Sequence, residues 1–187
     1  MKFRIVLFRI GTVAAAALLF ALSVQTMSAQ ASDSEEISKL LTDAKSHAVL
    51  AEDDAAMLES FTRSQRPWQL HSKKLDDIRD HVNALGKVSK QLADLRSEGS
   101  SWQQAAIDQI DPLLREMAGQ LSMTIKHLRE NQSRVHMQAY RDYAHESYEL
   151  AVKTAGMIQS FVEYDKAKSK AEALEAKLNL QTDEKSE

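Results

Sequence analysis

"IDQIDPLLREMAGQLSMTIKHL", residues 107–128, decides the fold. Ile107, Ile110, Leu114, Met117, Leu121, Thr124 and Leu128 recur at alternating steps of three and four. That spacing is the seam of an amphipathic helix packed against other helices, and no strand alternates in this way. Pro112 falls inside the seam. A proline there either kinks one helix or starts a new one with Asp111 as cap, and because the seam keeps phase on both sides the reading favours a kink.

The same pattern extends both ways along the chain. Upstream, Trp68, His71, Leu75, Ile78, Val82, Leu85 and Leu92 form a seam interrupted at Ser89, after a break at "SQRP". Before that break, Ile37, Leu40, Leu41, Ala44, Ala48, Ala51, Ala55, Leu58 and Phe61 form an alanine-rich seam over 33–63. Small residues on it would let a neighbouring helix come close. "SEGSS" separates the second and third stretches, with Gly99 a candidate left-handed cap and Ser101 with Gln104 a candidate capping box.

Downstream, Asn131 can cap the third helix and Ser133 can open a fourth. Its inward line reads His136, Tyr140, Tyr143, Leu150, Met157, Phe161 and Tyr164, flanked by Met137, Ala144, Ala151 and Ile158. Beyond Tyr164, "DKAKSKAEALEAKL" carries its own apolar seam of Ala167, Ala171, Leu174 and Leu178. The expected fold is all-α: an up-down-up-down antiparallel four-helix bundle over residues 32–178, with a long C-terminal helix that outruns the bundle beyond about residue 164. Residues 179–187 read as a disordered polar tail.

The first 31 residues belong to a different class. Lys2, Arg4 and Arg9 precede an apolar run from Ile10 to Val24, and "SAQA" places Ala29 and Ala31 before Ser32. This is the layout of a secretory signal peptide cleaved before Ser32, with an uncleaved anchor as the alternative. Cleavage removes three positive charges and takes the net charge from −3 to −6. The expected product is periplasmic or secreted, without a stable membrane span and without attraction for nucleic acid. The chain has no cysteine, which excludes a disulfide framework, a lipoprotein anchor and covalent c-type haem.

Candidate chemistry concentrates at one end. In the expected topology the first and third connections lie together and gather Trp68, His71, His127 and His136. Arg63, Arg66, Lys73, Lys126, Arg129 and Arg134 would surround them. Such a pole could bind an anion or a partner, or hold a metal between His71 and His136; alternatively, Trp68 closes the core there and the histidines are satisfied by hydrogen bonds. Asp142, His145 and Glu149 share an outward stripe and read as a solvated face. Neither Glu-x-x-His nor His-Glu-x-x-His occurs. No nucleophile–base pair or phosphate loop is identifiable, so no enzyme and no cofactor is expected, although histidine or methionine ligation of a b-type haem stays formally open.

"IKHLRENQSRVHMQAYRDYAHE" followed by "FVEYDKAKSKAEALEAKL" resembles the C-terminal half of small exported bacterial helical proteins to which no function is assigned. The resemblance covers the last third of the chain and implies no chemistry. "LTDAK", residues 41–45, is similar to the Leu-Thr-x-x-Gln repeat of small periplasmic stress chaperones, but Lys45 stands where the glutamine belongs. The expected function is non-enzymatic: an exported bundle acting through its surfaces, by self-association or an envelope partner engaged by the C-terminal helix. The alternative is a metal- or anion-binding bundle using the basic, histidine-rich pole.

Overall fold

A computed structural model describes residues 32–64 and 66–183, with side chains to residue 178. The signal-peptide reading lies outside them. Four helices follow one another: α1 Glu35–Thr62, α2 Trp68–Asp94, α3 Ser101–Glu130 and α4 Gln138–Asp183, with single 3₁₀ turns at Arg96–Glu98 and Gln132–Arg134. α1 packs against α2 and α4, and α3 packs against the same two, which closes an all-α four-helix bundle. No strand occurs among the described residues.

Local signals set the ends. The Ser34 hydroxyl accepts from the Ile37 amide, and Glu35 and Glu36 face the positive end of α1. The Asn131 side chain donates to the His127 carbonyl and closes α3. α3 runs unbroken through Pro112, so the chain is not split there.

Several expectations need correction. The capping box is one residue earlier than expected: Ser100 is the cap and Gln103 the reciprocating side chain, while Gln104 Nε2 donates to the Gly99 carbonyl. Gly99 is extended (φ −81°, ψ 153°), not left-handed. Its requirement is space, because a Cβ there would stand 2.8 Å from Ile37 Cδ1 and 3.1 Å from Gln103 Cβ. Val88, not Ser89, fills the inward position of α2, leaving Ser89 Oγ to donate to Asp111 at 3.1 Å. α4 begins at Gln138, after a linker in which Val135 is buried and His136 exposed. It also continues to Asp183, past the expected start of the tail.

The buried face of α4 is rotated from the expected one. Tyr140, Ala144, Ser147, Leu150, Ala151, Thr154, Ala155, Ile158 and Val162 are buried, whereas Tyr143, Met157 and Phe161 are only partly covered and Tyr164 is exposed. The reason is the alanine seam of α1. Ala44, Ala48, Ala51 and Ala55 share the two core clusters with Ala144, Ala151 and Ala155 of α4. Small residues facing each other bring the helices close and push the bulky side chains to the edges. Between α3 and α4, Thr124 Oγ1 meets Ser147 Oγ at 2.8 Å and Gln120 Nε2 donates to the Tyr143 carbonyl. These buried polar partners fix the register of the pair.

One side chain holds the other end of the bundle together. Gln103 is fully buried. Its Oε1 accepts from the Ser34 amide at 2.9 Å and the Ser100 amide at 3.1 Å, and its Nε2 donates to the Ser34 carbonyl at 2.8 Å. Beside it, Trp102 Nε1 donates to Asp33 Oδ1, and Lys168 of α4 pairs with Asp33 Oδ2. Burial works against the Asp33 charge, but the hydrogen bonds from Lys168, Ser100 and Trp102 outweigh it and hold the carboxyl below its usual range. The first residues of α1, the start of α3 and the distal part of α4 are thus clasped at one point. Gln103→Leu keeps the volume and strands the Ser34 and Ser100 amides, while the Ser34 carbonyl keeps the Ser38 amide, so it should cost about 2–3 kcal/mol in urea unfolding; a loss below about 0.5 kcal/mol would show that the clasp is idle.

Candidate functional site

The opposite end, where α1 runs out and α4 begins, carries the candidate site. Two layers meet there. The lower layer is aromatic and buried. His71, the first inward residue of α2, lies edge-on to Phe61 (ring centroids 5.7 Å) and Tyr140 (5.3 Å). His127 stacks near Tyr140 and lies 4.7 Å from Tyr143. Trp68 packs on the edge of the same cluster.

This layer contains an unpaid polar cost. Among the described residues, neither ring nitrogen of His71 and not the Tyr140 hydroxyl has a hydrogen-bond partner, and both side chains are essentially inaccessible. The expectation that inward histidines are satisfied by hydrogen bonds therefore fails at His71. Burial drives the His71 pKa down, and the Arg66 backbone opposes it. Burial also drives the Tyr140 pKa up. Both groups are held neutral.

The upper layer is an open cleft of about 620 Å³ lined by Thr62, Arg63, Ser64, Arg66, His136 and Arg141. A neighbouring hollow adds Glu59, Gln138, Asp142 and His145. Arg63 is neutralised by Glu59, which also faces His145 Nδ1 at 3.3 Å. Arg66 and Arg141 make no ion pair among the described residues. The first turn of α4 contains no acidic residue to offset the helix dipole. Planar guanidinium groups beside a helix N-terminus can receive a carboxylate, sulfate or phosphate.

The structure divides the residues singled out from sequence. Arg63, Arg66 and His136 come together in the cleft. His136 is exposed rather than inward, because Val135 takes the buried place in the linker, and no ring contact or hydrogen bond joins it to His71. Lys73 is paired with Asp77, and Lys126, Arg129 and Arg134 are exposed and do not line the cleft. Arg141 was missed: it sits one residue past Tyr140, and only the late start of α4 aims it at α1. No three His, Asp or Glu side chains converge into a metal cage among the described residues. No helix among them is long and apolar enough to cross a membrane. No protein-family model, no curated protein and no solved structure matches the chain.

The neutral His71 carries a pH signature. Its pKa in the folded chain lies below that of the unfolded chain. Above the ordinary imidazole pKa of about 6.5 the ring has no effect on the pH profile. As pH falls through that value, the unfolded chain takes up a proton that the folded ring refuses, and stability is lost. His71→Leu should leave the melting temperature at pH 7 equal or higher, and should flatten its decline toward pH 5. An unchanged decline in the variant would assign the acid sensitivity elsewhere.

Proposed function

We propose that the protein is an exported, non-enzymatic helical bundle that works by association, pairing the distal part of α4 with that of a second copy. The observation that carries this reading is the length of α4. It has 46 residues against 28, 27 and 30 in the other helices, so it spans about 69 Å where α1 spans about 42 Å. From Lys166 to Leu178 only Lys168 is partly covered, and Ala167, Ala171 and Leu174 line up on an exposed seam.

The charges beside that seam favour a second copy. With Tyr164, Ala167, Ala171 and Leu174 at the core positions of a heptad repeat, Glu163 and Lys170 precede the seam, and Lys168 and Glu175 follow it. In a parallel, in-register pair, Glu163 of one chain faces Lys168 of the other and Lys170 faces Glu175. Lys168 is already engaged by Asp33 and Glu172 within its own chain. The Lys170–Glu175 contact is therefore the one that selects the partner. Two heptads make a weak, concentration-dependent dimer. The N-terminal layout of residues 1–31 supports a periplasmic or secreted location for it. Sedimentation equilibrium should show reversible dimerisation that Lys170→Glu weakens and that Lys170→Glu with Glu175→Lys restores. A monomer at every concentration, or a dimer indifferent to the charge swap, would end the reading.

The arginine cleft supports a second reading, an anion or acidic-group receptor, on the strength of Arg66 and Arg141, which make no ion pair among the described residues, beside a helix N-terminus with no acidic residue in its first turn. Sulfate or phosphate should raise the melting temperature beyond chloride at equal ionic strength, and Arg66→Ala with Arg141→Ala should remove the difference. Equal response of both proteins would exclude the cleft as the receptor.

A further inference from the structure

Midway along the α1–α2 interface, His47 and His81 face one another across the two helices. Their Nδ1 atoms are 3.5 Å apart and their ring planes are tilted by 41°. Both rings are partly open, with side chains 31 % and 24 % exposed. For a hydrogen bond this separation is long, since N–H···O bonds cluster near 2.9–3.0 Å. It suits another arrangement. Zinc holds imidazole nitrogens at about 2.0–2.1 Å, and the tetrahedral angle then places two of them about 3.4 Å apart.

The far side of each ring supports the same arrangement. His81 Nε2 faces Asp54 Oδ2 at 3.6 Å, and His47 Nε2 faces Asp43 Oδ1 at 4.0 Å. A metal-bound imidazole characteristically turns its other nitrogen to a carboxylate, which fixes the tautomer and raises the basicity of the ligand atom. Asp54 is itself held by Lys74 Nζ at 2.8 Å, and Lys74 also pairs with Asp77. The three carboxylates Asp43, Asp54 and Asp77 outnumber the two ammonium groups paired with them, Lys73 and Lys74, so the surroundings favour added positive charge.

We propose that His47 and His81 form a two-imidazole site for a borderline divalent transition-metal ion, zinc or copper(II), with solvent completing the coordination. Imidazole donors select such ions over magnesium and calcium, which take oxygen ligands. The ion would bolt α1 to α2 at mid-length. The site is separate from the α4 extension and from the arginine cleft.

Zinc titration of the full chain by calorimetry tests it, with side-chain nitrogen NMR locating the ion. One ion per chain is expected, perturbing the Nδ1 resonances of His47 and His81. Asp54→Asn should weaken binding about tenfold by loosening the His81 ring. His47→Ala and His81→Ala should each weaken it by at least about that factor. His136→Ala and His145→Ala should leave it unchanged. Because both rings of the pair are partly exposed, the variants should keep the wild-type helical melt in the absence of metal, which separates lost ligation from lost folding. No saturable uptake by the wild type, or binding that survives in His47→Ala/His81→Ala, overturns the proposal and leaves a histidine contact alone.

Discussion

The close meeting of α1 and α4 through alanine is the constraint on which the rest of the bundle depends. Four alanines of α1 are buried to 1 % exposure or less, and they share their clusters with Ala144, Ala151 and Ala155 of α4. Side chains this small leave no volume to rearrange, and two helix backbones that close cannot enclose a ligand between them. Large apolar groups of α2 and α3, among them Leu75, Ile78, Leu85, Ile110 and Leu121, fill the remaining space. An interior used in this way holds helices to each other, and it sends any recognition to the ends and outer faces.

Much of this was readable from the residues. The three-and-four spacing identified all four helices, the alanine seam announced a close neighbour, and the short connections implied antiparallel packing. The failures have local causes. A helix start can slide by one residue wherever two serines adjoin, as at Ser100 and Ser101, because either can cap; burial of Gln103 decides between them. The face of α4 was misjudged because aromatic rings were weighed above alanines, whereas tight contact with α1 inverts that preference. The delayed start of α4 depends on Val135 entering the core, which no local signal separates from a continuing helix.

The candidate sites were legible to different degrees. Arg63, Arg66 and His136 were found because connections that share an end of a bundle gather their charges whatever the helix phase. Arg141 was not, since its aim depends on the phase of α4. His47 and His81 were invisible, because residues 34 positions apart on separate helices form no motif in the chain. Only the relative rotation of α1 and α2 brings them face to face. The buried pair His71 and Tyr140 shows a further tension. Both carry polar atoms with no hydrogen-bond partner among the described residues, in a packed layer beneath the arginine-lined end. Stability is given up at that end and recovered in the dense hydrogen bonding around Gln103 at the other.

The clasp at Asp33, Gln103 and Lys168 has a mechanical implication. It ties residues 135 positions apart, and it sits where α1 enters the bundle and α4 leaves it. Tension applied between those two points would open α1 from α4 one turn at a time, like a zipper, instead of loading all their contacts together in shear. The clasp is the first tooth of that zipper, so resistance to force would be set by a few bonds at one extremity and not by the breadth of the seam behind them.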